Sequence, residues 1–182
     1  MYHIYNLAGL WCTLPNKTTK HGNVKLIQRS NKNLRHLLTD IGMRCWKNEE
    51  SKDAYVYRVI SEIRKSLADP KVKGVYVIGH SYGGYVASEA VIDLKKDPNS
   101  HKLVVDTYAS IYILSRPDIG PIDMKQYMNR HDLALRCNKI PKDCITWTRR
   151  SRSNNIIDEW KIHMDYPLDD IVNNLIKKLN SK

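Results

Sequence analysis

The ten residues Val75-Tyr76-Val77-Ile78-Gly79-His80-Ser81-Tyr82-Gly83-Gly84 restrict the folds open to this chain more than any other stretch. A β-branched apolar run enters Gly-x-Ser-x-Gly. An amphipathic pattern leaves it, with Val86, Ala87, Ala90, Val91 and Leu94 at helical spacing and a stop at Asp97-Pro98. The pattern predicts a strand, a sharp turn and a helix. A serine on such a turn stands above the sheet, beside helix N–H groups that favour negative charge. Gly79 and Gly83 leave no room for a side chain, which would strike the neighbouring strand or helix. The three fixed residues alone arise by chance in about one chain in twenty of this length. The strand before them and the helix after them give the motif its weight.

With 182 residues the chain is long enough to bury a real core, and one domain over 1–182 is expected. Hydrophobic residues at 42% and charged residues at 27% are ordinary for a soluble globular protein. No apolar run reaches the ~18 residues of a membrane-spanning helix. Met1-Tyr2-His3-Ile4-Tyr5 lacks the basic start and apolar stretch of a signal peptide, so a cytoplasmic protein is expected. The wide spacing of Cys12, Cys45, Cys137 and Cys144, with no Cys-x-x-Cys, argues against zinc. Reduced thiols are the default in that compartment, with two disulfides as the alternative for a protein that leaves the cell by another route. The formal charge of +11 is spread along the chain. An anionic membrane surface is therefore a candidate partner, with a merely solvated basic face as the alternative. Neither a zinc finger nor a Walker loop is present, and no specific nucleic-acid partner is expected.

Strands are expected over His3 to Leu7, Val24 to Gln28, Leu103 to Tyr108, Met124 to Asn129 and Cys144 to Thr148, besides the one before the serine turn. Residues 11–22 and 110–123 read as loops. Helical stripes run through Leu34, Leu37, Leu38 and Ile41, through Val56, Val59, Ile60, Ile63 and Leu67 after a Ser51 cap, and through Leu168, Ile171, Val172, Leu175 and Leu179. Strands alternating with helices predict an α/β fold. It would have a mostly parallel sheet of about six strands with helices on both faces, and ligands at the carboxyl ends of the strands. Ser81, Asp132 and the segment around His163 each follow a predicted strand, and so share that edge.

A serine hydroxyl needs a base to take its proton, and the base needs a carboxylate to hold its tautomer. The serine turn in its strand–helix setting resembles the α/β-hydrolase superfamily, whose chain order is Ser, then Asp or Glu, then His. The resemblance implies a three-layer sandwich and a compact serine esterase- or lipase-like member without a cap. Only the loop 110–123 stands where many members insert one, so a shallow, open site is implied. His163 is the one histidine downstream of Asp132, in Trp160-Lys161-Ile162-His163-Met164-Asp165-Tyr166 before the last helix, like the family's loop histidine. Asp132, in a polar turn after a strand, is the implied acid, with an Asx turn as its plain structural role. Asp118 competes for that role, as do Asp106 and Asp143.

By the same resemblance the backbone N–H of Tyr82 supplies one oxyanion donor. The second is Leu10, in Leu7-Ala8-Gly9-Leu10, or Asn31, in Arg29-Ser30-Asn31, which is similar to an element of class 3 lipases. His80 is expected to pack under the turn, and Tyr82 and Tyr85 to line a pocket or pack the helix. Trp11, Trp46, Ile111, Tyr112 and Ile113 are candidates for an acyl groove or for the core. The implied activity is cleavage of a carboxylic ester, on a small-molecule or lipid substrate, without metal or other cofactor. The alternative is an inactive protein of the same fold that binds an anionic partner through its basic surface.

Overall fold

The computed structural model describes residues 1–9, 17–30, 54–137, 145–148 and 155–182. Within them lie β1 (Tyr2–Leu7), β2 (Thr18–His21), β3 (Val24–Arg29), α1 (Ala54–Ala68), β4 (Gly74–His80), α2 (Tyr82–Leu94), β5 (Leu103–Tyr108), α3 (Arg116–Ile119), β6 (Asp123–Met128), β7 (Thr146–Trp147), α4 (Ile156–Met164) and α5 (Leu168–Asn180). Seven strands form one sheet in the order β2-β3-β1-β4-β5-β6-β7. Only β2 runs antiparallel to its neighbour.

The central strand explains the layering. β4 is buried along almost its whole length, as a parallel strand covered on both faces must be. Alternate residues feed two cores. Tyr5, Leu7, Val75, Val77, Leu103 and Val105 pack with the stripes of α1 and α2. Ile4, Val24, Leu26, Ile78 and Tyr108 face Val172 and Leu179 of α5. Helices thus cover both faces in a three-layer α/β architecture. Strand register brings the carboxyl ends to one edge: Leu7 pairs with Gly79, His80 with Tyr108, and Met128 with Trp147.

Three sequence expectations change. Residues 18–21, read as loop, form edge strand β2, whose Thr-Thr-Lys-His sequence carries no apolar alternation. An edge strand needs only one partner, and polar residues suit its open side. It is closed onto β3 by Gly22 at φ 59°, and Asn23 N–H donates to Asn180 Oδ1 at 2.9 Å. Residues 110–123 are not purely loop. Ser115 precedes the short helix α3 with Pro117 in its first turn, and Ile113, Leu114, Ile119 and Ile122 fold into the body. His163 belongs to the last turn of α4 instead of a loop. Asn155 caps that helix, its Oδ1 accepting from the N–H of Ile157 and of Asp158 at 3.0 Å each. The outward Ile156 and Ile157 break the amphipathic pattern that would have marked it. The stripe Leu34 to Ile41 and the Ser51 cap lie outside the described residues, as do Cys12, Cys45 and Cys144. Among the described residues no helix is long and apolar enough to cross a membrane.

Candidate active site

β4 ends at His80 and α2 starts at Tyr82, so a single residue makes the turn. That residue, Ser81, sits at φ 54°, ψ −118°. This is a region that non-glycine residues enter at a cost of about 1–3 kcal/mol, sustained only by tight surroundings. The surroundings are tight. A Cβ on Gly79 would meet the Gly83 carbonyl oxygen at 2.5 Å, and one on Gly83 would meet the Leu7 carbonyl oxygen at 2.0 Å. Both glycines are required by backbone contact, as the motif predicts. Ser81 N–H still donates to Tyr108 O at 3.0 Å, which ties the turn to β5.

The turn aims Ser81 Oγ at His163 Nε2, 2.9 Å away. His163 Nδ1 lies 2.7 Å from Asp132 Oδ1. The carboxylate accepts, so the pattern assigns the proton to Nδ1 and leaves the Nε2 lone pair to receive the Ser81 hydroxyl. Asp132 and His163 are 2% and 5% exposed, while Ser81 is half-buried. The innermost members are thus shielded and the serine is the outer one.

Asp132 follows β6 in a tight turn, and the plain structural role coexists with the contact to His163. Its Oδ1 also accepts from Ala134 N–H at 2.8 Å, which makes the Asx turn. Its Oδ2 accepts from Tyr166 Oη–H at 3.1 Å. Tyr166 Oη in turn accepts from Asn129 N–H at 2.9 Å. Burial, followed by the adjoining Asp132 charge, raises the Tyr166 phenol, so it stays a donor. The rival acids stand elsewhere. Asp118 is exposed and bonded to Ser115 Oγ. Asp106 lies within β5, where burial raises its carboxyl. Asp143 lies outside the described residues.

His80 is buried at 2% exposure. Its Nε2 lies 2.8 Å from the His163 carbonyl oxygen, so Nε2 carries the proton. Desolvation is the largest influence on it and lowers its pKa from 6.5 to about 4. Tyr82 and Tyr85 belong to the core beneath α2, with Tyr82 stacked on Tyr55 at 6.3 Å. Ile113 is core, beside Met128, Ala134 and Ile145, while Ile111 and Tyr112 are partly buried. Leu10, Asn31, Trp11 and Trp46 lie outside the described residues. The loop start leading to Leu10 does approach the site: a Cβ on Gly9 would sit 2.9 Å from Ser81 Cβ. Sequence reading missed the contact of Tyr166 with Asp132. A tyrosine three residues after the histidine follows no periodicity that marks it. Among the described residues no group of three or more His, Cys, Asp or Glu side chains is placed to hold a metal ion.

No protein-family model matches the chain, and no curated protein matches it. Among solved structures it is similar to lipase II from Rhizopus niveus, at 18% identity and a TM-score of 0.37. The match covers 78% of this chain and 53% of that one, so the chain spans about half the length of the lipase. At that level of likeness the chemistry of the site has to rest on its own atoms.

Proposed function

We propose that the protein is a serine hydrolase of the α/β-hydrolase type that cleaves a carboxylic ester through an acyl-enzyme. The observation that carries the reading is the continuous hydrogen-bonded line from Ser81 Oγ through His163 to Asp132, at 2.9 and 2.7 Å, anchored on a strained turn. Ser81 Oγ attacks the ester carbonyl carbon while His163 Nε2 takes its proton. Asp132 holds the imidazole in the tautomer that leaves Nε2 free to accept, and it stabilises the imidazolium that forms. The charge on the carbonyl oxygen develops beside the first turn of α2, where N–H groups face out of the helix end. The N–H of Tyr82 is the proposed first oxyanion donor and that of Leu10 the second, each worth ~2.7–4 kcal/mol. Collapse of the tetrahedral species breaks the bond to the alcohol oxygen, which receives the proton from His163. Water then attacks the acyl-Ser81 ester, with His163 as base once more, and releases the acid.

A fluorophosphonate probe tests the reading directly. Wild type is expected to label at Ser81, and Ser81→Ala to stay unlabelled while its circular dichroism matches wild type. A folded wild type that neither labels nor turns over nitrophenyl esters of any chain length would overturn the proposal.

A further inference from the structure

We infer that His80 is a positioning residue: its Nε2–H holds the main-chain carbonyl of His163, so one strand end sets both the nucleophile and the base. The inference rests on the hydrolase reading for its kinetic consequence but on geometry for its substance.

His163 stands one residue from the end of α4, among the last four residues, whose carbonyls lack an intrahelical partner. The Asp165 N–H turns back to Ile162 O at 3.3 Å, one residue short of the His163 carbonyl. A buried carbonyl left unpaired carries a full desolvation penalty. His80 Nε2–H satisfies this one at 2.8 Å, in a buried contact. The His80 and His163 rings lie 5.2 Å apart, and the Tyr166 ring also packs on His80, at 5.7 Å. The donor is adjacent in sequence to Ser81. Movement of β4 therefore carries the hydroxyl and the hydrogen bond to the base together, and their separation is kept.

The surroundings also determine which form of His80 does this. Its Nδ1 has no hydrogen-bond partner among the described residues and is shut off from water. A proton there would be buried without an acceptor among the described residues. The Nε2–H tautomer gives the carbonyl its donor and adds no charge beside His163. A neutral amide at the same distance could replace it, whereas an apolar side chain of similar size could not.

The test compares His80→Leu with His80→Gln, whose terminal N–H2 reaches the place of Nε2. Two readouts are needed: ester turnover, and the far-downfield proton resonance of His163 Nδ1–H bonded to Asp132. Misplacing a base by ~1 Å costs up to about a hundredfold. His80→Leu is therefore expected to lower kcat at least about tenfold with KM within about twofold, and to shift or lose the resonance. His80→Gln is expected to restore both. A His80→Leu variant with wild-type kcat and resonance would overturn the inference. Should the leucine variant not fold, His80→Asn, whose shorter amide does not reach the carbonyl, takes its place. An asparagine variant indistinguishable from wild type would be equally fatal. If wild type shows no turnover but the resonance still responds to position 80, the hydrolase reading fails and the positioning role stands.

Discussion

Ser81, His163 and Asp132 are separated by 31 to 82 residues in sequence, yet each is fixed by short-range backbone devices. Ser81 is held by glycines that admit its strained turn, His163 by the end of α4, and Asp132 by its own Asx turn. Tyr166 adds what none of these supplies, a donor to the outer carboxylate oxygen. Hydrogen bonds to a charged group are worth about 1.5–3 kcal/mol. Tyr166→Phe removes that bond and the bond that Tyr166 Oη accepts from Asn129 N–H. It is expected to lower kcat about tenfold by the linkage of 1.4 kcal/mol to each factor of ten, with little change in KM. Steady-state kinetics on a nitrophenyl ester checks this, and an unchanged kcat would mean that Ala134 N–H and His163 suffice to orient the acid.

The strand–turn–helix unit of β4 and α2 was readable as a unit because three local signals agree: β-branched residues, glycines at the crowded positions, and a helical stripe. The reason for the second glycine is nevertheless tertiary, since the atom it spares is the carbonyl oxygen of Leu7 on β1. Gly83→Ala must push β1 and α2 apart, and is expected to destabilise the fold by about 3 kcal/mol or more. Gly74→Ala, at the start of β4, meets only side-chain atoms, at 3.4 Å or beyond, and is expected to be neutral or slightly stabilising. Urea unfolding of the two variants decides it, and equal midpoints would contradict the packing. α4 and β2 show the converse. Their residues carry weak or inverted patterns, because an outer helix with exposed isoleucines and an edge strand answer to few neighbours.

Across the whole molecule, the buried neutral histidine ties stability to pH. His80 takes a proton near pH 4 when folded, against an ordinary value of 6.5. Between those values the unfolded chain binds the proton and the folded chain does not, so this contribution to stability rises with pH. It is complete above about pH 6.5, fades as pH falls, and is lost by about pH 4, a loss of about 3 kcal/mol. Wild type is therefore expected to lose stability over that window more steeply than His80→Gln, by urea midpoints at several pH values. Parallel pH curves would show that the unfolded chain gains nothing by protonating this residue.

The order serine, aspartate, histidine was legible along the chain, and so was the alternation of strands and helices that brings their backbones to one edge. Those features follow from local periodicity, which neighbouring residues suffice to determine. The contact of His163 with Asp132 and not Asp118, the helical setting of His163, the donor from Tyr166 and the contact of His80 were decided only in three dimensions. Each depends on which side chains meet across layers of the sandwich, and hydrogen bonds between residues dozens of positions apart leave no period in the sequence.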